Sequence, residues 1–308
     1  MALYVFDGTG NQNIDDKDTK DTNPCKFFSA YTDPLRNEDP DKELGSLYLK
    51  GIGTRARTFI GKGAAEAFGF GGHRRVRQAL ERLEHNIDAG DAVVDVCGFS
   101  RGAALALSFA NEVATKMNGV AIRFIGLFDV VGEFGLPGEH VNAGHNLKMP
   151  PNAQHVYHAM ALDETRLFFP LTRLSGTGHQ ENTRLQEVWF RGVHSDVGGG
   201  NENRSLNWMA LNWLFENAKR HGLPIEPARV AANLASNLPP PELSDHDIDA
   251  QLPRRVRDTD LLHASVVLNQ GPPGRPHNNP KAVLARIDDL GIITLNGVIR
   301  PPGSAALA

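Results

Sequence analysis

Short, largely apolar runs alternate along this chain with longer segments of mixed character. Residues 3–6, 46–50, 92–97, 121–128, 154–162 and 187–190 are compact runs bounded by Gly, Asp, Asn or Arg. That is the pattern of strands buried on both faces of a parallel sheet, rather than of half-exposed strands with strict alternation. Between them lie helical periods. Residues 73–88 place Val76, Leu80, Leu83 and Ile87 on one face, 103–117 is rich in Ala and Leu, and 206–221 carries Trp208, Leu211, Trp213, Leu214 and Phe215. A single helical turn is expected near 25–31, a last helix at 260–268 and a further strand at 291–295. Residues 12–42 otherwise read as loop, as do 171–182, the prolines at 239–241 and the acidic run 245–249.

Strands alternating with helices predict an α/β fold, α/β-hydrolase-like, with a mainly parallel central sheet and helices on both faces. Right-handed crossovers bring the C-terminal ends of such strands to one edge, where ligands bind in open α/β sheets. Asp7, Ser100, Asp129 and His194 each follow an expected strand, so all four are expected at that edge. Residues 58–72 combine Phe59, Ile60, Phe68 and Phe70 with many Gly and Ala. They suit a segment covering an apolar cleft, or equally a plain helix packed on the sheet. No repeat or long linker divides the chain. The expected organisation is a catalytic domain over 1–285 followed by an extension, 286–308.

The most informative stretch is Gly98-Phe99-Ser100-Arg101-Gly102-Ala103. This is a G-x-S-x-G pattern in the context that gives it meaning, a strand before it and a helix after it. The serine must take a strained backbone conformation to lift its hydroxyl above the sheet, and the glycines on either side permit the close strand–helix approach. A serine hydroxyl needs a base, and histidine has the suitable acidity. A carboxylate behind the ring fixes its tautomer and stabilises the imidazolium. Ser100, Asp129 and His194 follow the chain order Ser, acid, His known from α/β-hydrolases.

Twelve histidines make alternatives numerous. His145, His155 and His158 also lie between the acid and the last strand, and His263 is a late-chain rival. His194 is favoured because it directly follows a strand and precedes Gly198-Gly199-Gly200. Asp163 and Asp196 compete with Asp129, although Asp196 suits an ordinary Asx role in its own loop. One oxyanion-hole donor is expected from the backbone N–H of Arg101 and another from Gly8 or Thr9. Asp7 is a candidate for holding that first loop. A metal shared by Asp7 and Asp196 is disfavoured, because no dense ligand spacing accompanies them. No cofactor is expected.

Composition changes this picture little. With 32 basic and 36 acidic residues, a net charge of −4 and no Lys/Arg block, the chain lacks the basic footprint of a nucleic-acid binder. Cys25 and Cys97 are the only cysteines, so a disulfide framework is not expected. No signal peptide and no run of about 18–20 apolar residues is visible, so the expected location is the cytoplasm where the protein is made.

Six collinear segments add a resemblance. They are Phe6-Asp7-Gly8-Thr9-Gly10-Asn11, Gly51-Ile52-Gly53-Thr54, the elbow itself, Gly126-Leu127-Phe128-Asp129-Val130-Val131-Gly132, His158-Ala159-Met160-Ala161-Leu162-Asp163-Glu164, and residues 188–200 from Val188 to Gly200. Arg275-Pro276-His277-Asn278 extends them. Together they resemble an α/β-hydrolase family long catalogued as a domain of unknown function, which includes the first class of type VI secretion phospholipase effectors. The resemblance implies a serine esterase of lipase or phospholipase type, with Ser100, Asp129 and His194 as its triad. It also implies a lipid or other ester substrate, peripheral membrane contact, export by a type VI system, and a secretion-machine or immunity protein as partner. Two positions depart from the family pattern: Gly10 stands where an aromatic is usual, and Phe128-Asp129-Val130 replaces Trp-Asp-Thr. The long additional region of the larger effectors is not present in these residues.

Two other readings compete. Val5-Phe6-Asp7-Gly8-Thr9 superficially matches the aspartyl-phosphate loop of haloacid-dehalogenase-like phosphatases, but lacks that loop's second Asp. A non-catalytic, hydrolase-like binding or regulatory module is the other, since a fold does not guarantee its chemistry.

Overall fold

The computed structural model describes residues 1–8, 21–33, 44–51, 62–132, 145–167, 169–175, 183–201, 204–234, 253–257, 260–264, 266 and 292–294. Its strands are β1 (Ala2–Phe6), β2 (Leu47–Leu49), β3 (Val94–Phe99), β4 (Ile122–Phe128), β5 (Ala153–Ala161), β6 (Leu185–Phe190), β7 (Leu261–His263) and β8 (Ile292–Thr294). They form one sheet in the order β2-β1-β3-β4-β5-β6-β7-β8. Every neighbouring pair from β2 to β7 is parallel, and β8 closes the edge antiparallel to β7. The fold is α/β-hydrolase-like. β8 places part of the 286–308 segment on the edge of this same sheet.

Both faces of the sheet are dry, which is why its strands read as continuous apolar runs. Successive side chains of a strand point to opposite faces. In β1, Leu3 and Val5 join the core formed with Phe27 and Phe28 of α1 (Asn23–Ala30) and Leu211, Trp213, Leu214 and Phe215 of α5 (Arg204–Arg220). Ala2, Tyr4 and Phe6 join the opposite core, with Val76, Ala79 and Leu83 of α2 (Lys62–Asp88) and the Ala/Leu face of α3 (Ser100–Lys116). Cys25 and Cys97 are both buried in the first of these cores. Thr22 starts α1, its hydroxyl accepting from the Cys25 amide and so occupying one of the donors a helix leaves open at its N-terminus.

Some elements differ from their sequence-level expectation. Residues 260–268 were expected to be helical, yet Leu261–His263 is a strand, fixed by pairing with Val188 and Trp189 of β6. The single turn expected near 25–31 is a full helix. α6 (Pro227–Leu234) had no visible signal. α2 begins at Lys62, so the Gly-rich stretch 62–72 is continuous with the helix expected at 73–88. Residues 58–61 and the side chains of 62–70, on which a covering role would depend, lie outside the described residues, as does the acidic run 245–249.

Candidate active site

β3 ends and α3 begins with no intervening residue, and the join is sharp. Ser100 has φ of +59°, the left-handed region that costs a non-glycine residue free energy. Gly102 makes the turn possible, because a Cβ there would lie 2.3 Å from the carbonyl oxygens of both Phe6 and Asp7. At Gly98 a Cβ would come within 2.7 Å of the Ala103 Cα. The close approach of β1, β3 and α3 at these two glycines therefore holds the serine turn.

A second strained residue follows β4. Asp129 has φ of +41° and is fully buried. Its backbone amide is satisfied by the Ala159 carbonyl, and its Oδ1 accepts the Ala161 amide at 2.8 Å. His194 follows β6 as the first residue of the short helix α4 (His194–Gly198), where a tight loop was expected. The preceding Gly192 has φ of +114°, and Asp196 turns back to accept the Val193 amide at 3.0 Å.

These three side chains form a line. The Ser100 Oγ lies 2.8 Å from His194 Nε2, and His194 Nδ1 lies 2.6 Å from Asp129 Oδ2. With Asp129 ionised, the ring proton sits on Nδ1 and the lone pair on Nε2 faces the serine hydroxyl. Burial pushes the His194 ring below its usual acidity range; Asp129 opposes that shift and Arg254 adds to it. Asp129 behaves differently. Burial pushes its carboxyl up, but the Arg254 charge and the His194 hydrogen bond outweigh it and hold the group well below the usual carboxylate range. The imidazole is flanked by Phe99 and Phe169, with ring centroids at 4.6 and 4.7 Å, and Arg166 covers the Phe169 ring at 3.9 Å.

The rival residues lie elsewhere. His145 contacts Ser108 Oγ at 2.8 Å and stacks on His73; His155 stacks on His221; His263 stacks on Phe190, with burial lowering it to about 4. Asp163 accepts from Arg191 at 2.8 Å and from the Gly192 amide at 2.7 Å. Asp196 is engaged by the Val193 amide and by Asn201 Nδ2 at 2.8 Å. Asp7 accepts from Tyr48 OH, from Thr22 Oγ1 at 2.8 Å and from the Gly8 amide at 2.6 Å. Asp7 and Asp196 thus have separate partners, and among the described residues no three His, Cys, Asp or Glu side chains gather into a metal-holding group. The Gly8 amide, one expected oxyanion donor, is turned toward Asp7; Thr9 lies outside the described residues. Arg101 stands in the first turn of α3, where backbone amides favour negative charge.

Sequence reasoning left the roles of four residues around this line unassigned, one of them, His158, being weighed only as a rival base. Arg254 grips Asp129 from a segment with no pattern to announce it. Glu164 accepts the His194 amide at 3.1 Å and is itself paired with Arg166. His158 and Glu187, fully buried on β5 and β6, brace the turn that carries Asp129. His158, Asp163 and Glu164 fall in one segment quoted above for the resemblance, but spacing alone did not say what each holds.

Residues 3–115 and 109–217 match the family model described as the type VI secretion system (T6SS) phospholipase effector Tle1-like catalytic domain. Among solved structures, the chain is similar to an uncharacterized protein from Pseudomonas aeruginosa, with 19% identity and a TM-score of 0.50 over 74% of this chain and 47% of that one. It is also similar to the Tle1 effector in a structure of that effector bound to the VgrG spike of the type 6 secretion system, with 24% identity and a TM-score of 0.45 over 66% of this chain and 52% of that one. The chain spans about half the length of each. No curated protein matches it.

Proposed function

The chain belongs to the Tle1-like family of type VI secretion phospholipase effector catalytic domains, and from that premise we propose that it is a serine hydrolase of carboxylic esters, lipid esters in particular. The observation that carries this reading is the hydrogen-bonded line from Ser100 through His194 to Asp129. In the proposed reaction the Ser100 Oγ attacks the ester carbonyl while its proton passes to His194 Nε2. Asp129 stabilises the imidazolium that forms, without taking the proton itself. The tetrahedral oxyanion meets the backbone N–H of Arg101 at the start of α3, where the helix end favours the developing charge. His194 then returns the proton to the departing alcohol, leaving the acyl group on Ser100. A water molecule, deprotonated by the same ring, releases the carboxylic acid and restores the serine.

Phe99 and Phe169 against the imidazole support a dry reacting centre, in which hydrogen bonds and charges act more strongly than in water. Leu167, 41% exposed and two residues from Phe169, supports contact with an apolar substrate or lipid surface at this rim. No helix among the described residues is long and apolar enough to cross a membrane. Family membership extends the proposal to export by a type VI system and to a secretion-machine or immunity protein as partner.

The test is turnover of short- and long-chain p-nitrophenyl esters, labelling by a fluorophosphonate probe, and fatty-acid release from glycerophospholipid vesicles. Ser100→Ala is expected to abolish all three. Turnover that survives in Ser100→Ala, or a folded wild type with no labelling, refutes the reading.

A further inference from the structure

We propose that Arg254 is the positioning residue of this site: it clamps the Asp129 carboxylate in its strained turn and keeps the His194 imidazole in the neutral form that accepts the serine proton. The proposal rests on the hydrolase reading of Ser100, His194 and Asp129.

The geometry is that of a buried fork. One terminal nitrogen of Arg254 lies 2.5 Å from Asp129 Oδ1 and 2.6 Å from the Ala161 carbonyl oxygen. The other lies 3.0 Å from Asp129 Oδ2 and 2.9 Å from the Phe169 carbonyl oxygen. The Arg254 side chain is 8% exposed and Asp129 is fully buried, so this charge pair is screened little by solvent. Planar, two-point pairing of this kind fixes orientation as well as charge, which a lysine cannot reproduce. One guanidinium thereby ties three parts of the site together: the acid after β4, the end of β5 at Ala161, and Phe169, whose ring packs on His194.

The clamp has an electrostatic consequence. A triad carboxylate normally offers its charge to the imidazole alone, whereas here Asp129 divides it between His194 and a full positive charge. The other groups facing the ring are accounted for. Ser100 is neutral; Glu164, which accepts the His194 amide, is paired with Arg166; Asp163 is paired with Arg191; Asp196 is held by the Val193 amide and Asn201. After Asp129 itself, Arg254 is the charge that acts most strongly on the ring, and it is the one that opposes protonation. With it in place, the imidazole resists protonation and remains a base further into the acid range. The same feature weakens stabilisation of the imidazolium, so Arg254 exchanges some maximal rate for activity at lower pH.

The experiment uses the full chain with Arg254→Met and Arg254→Lys. Carbon-13-labelled histidine NMR, with His194 assigned by signal loss in His194→Asn, reads the ring titration whether or not the protein is a hydrolase. Arg254→Met is expected to raise the His194 titration midpoint by about one pH unit or more. The acidic limb of the fluorophosphonate labelling rate is expected to move upward with it. Arg254→Lys, which keeps the charge and loses the fork, is expected to leave the midpoint near wild type while slowing labelling roughly tenfold to a hundredfold through misplacement of the acid. A folded Arg254→Met protein whose His194 midpoint does not move overturns the proposal. If Arg254→Met does not fold, Arg254→Lys decides, and labelling at the wild-type rate overturns it. Absence of labelling in the wild type refutes the hydrolase reading instead, and the NMR shift still decides what Arg254 does to the ring.

Discussion

His158 Nε2 accepts the backbone amide of Val130 at 3.1 Å, which locks the residue following the strained Asp129 to the middle of the sheet. The opposite ring nitrogen donates to Glu187 Oε1 at 3.0 Å, so the ring is neutral with its proton on Nδ1. Glu187 also receives the Leu174 amide, the Ser175 hydroxyl and Arg173. This interior network braces the turn in which Asp129 has φ of +41°.

His158→Ala removes the ring from that network and leaves the Val130 amide without its acceptor in the interior. Unpaired buried polar groups cost about 1–3 kcal/mol each, so the variant is expected to lose roughly 2–4 kcal/mol of stability. It is also expected to lose labelling at Ser100 in proportion to the disorder of Asp129. Urea unfolding measures the first and probe kinetics the second. A loss under about 1 kcal/mol would show that water replaces the ring without penalty.

How far the sequence announces all this differs from element to element. Strands β1, β3 and β4 were legible because each is buried on both faces and therefore written as an uninterrupted apolar run. The serine turn was legible because its glycines are dictated by contacts with backbone atoms, which no other residue tolerates. β7 was not, because three residues carry no measurable period and Leu261 and Leu262 suit a helix as well as a strand; pairing with β6 decides. α4 is equally short and is set by the Gly192 turn and the Asp196 bond rather than by periodicity. Arg254 is 125 residues from Asp129 in sequence, and its meaning exists only in three dimensions.

Gly102 offers a sharp test of the turn. Alanine is intrinsically the better helix residue by about 1 kcal/mol, so an exposed helix would gain from Gly102→Ala. Here the added methyl would sit 2.3 Å from two backbone carbonyl oxygens, which cannot rotate away as a side chain can. The expected outcome is a net loss of about 2–3 kcal/mol or more in urea unfolding, with β1 and α3 forced apart. Equal or greater stability would mean that the elbow is looser than described.

Asp129→Asn separates the catalytic from the structural share of the acid. An amide at this position no longer holds the ring in the tautomer that accepts the serine proton, and the rate is expected to fall by roughly 10⁴-fold. It also strands the buried Arg254 charge, at an expected cost of about 3–5 kcal/mol. The double variant Asp129→Asn with Arg254→Met is expected to recover stability and not activity. Should the double variant unfold as readily as the single one, the ion pair is not the source of the loss.

Asp7 gives the molecule a distinct pH dependence. Burial raises its carboxyl to about 6, despite the hydrogen bonds from Tyr48, Thr22 and Gly8 that pull it down. An unfolded aspartate titrates near 3.9, so between about pH 4 and 6 the folded state binds more protons than the unfolded one. Stability from this group is therefore fully present below about pH 4 and is lost as the pH rises through 6, by roughly 3 kcal/mol in all. Asp129 and Glu164 act in the opposite sense, their contributions being present above about pH 4 and lost in stronger acid, because both carboxyls are held below the usual range. His145, His221 and His263, which burial lowers to about 4, also act against Asp7: between about pH 4 and 6.5 the unfolded state binds more protons at these rings, so their contributions grow as the pH rises. Asp7→Asn removes a declining contribution, so the variant's stability is expected to rise more steeply than the wild type's between pH 4 and 6, by roughly 3 kcal/mol over the window, while the acid limb below pH 4 stays in place. Urea titrations at half-unit intervals measure the difference between wild type and Asp7→Asn, and a difference that stays constant from pH 4 to 6 would refute the raised carboxyl at Asp7.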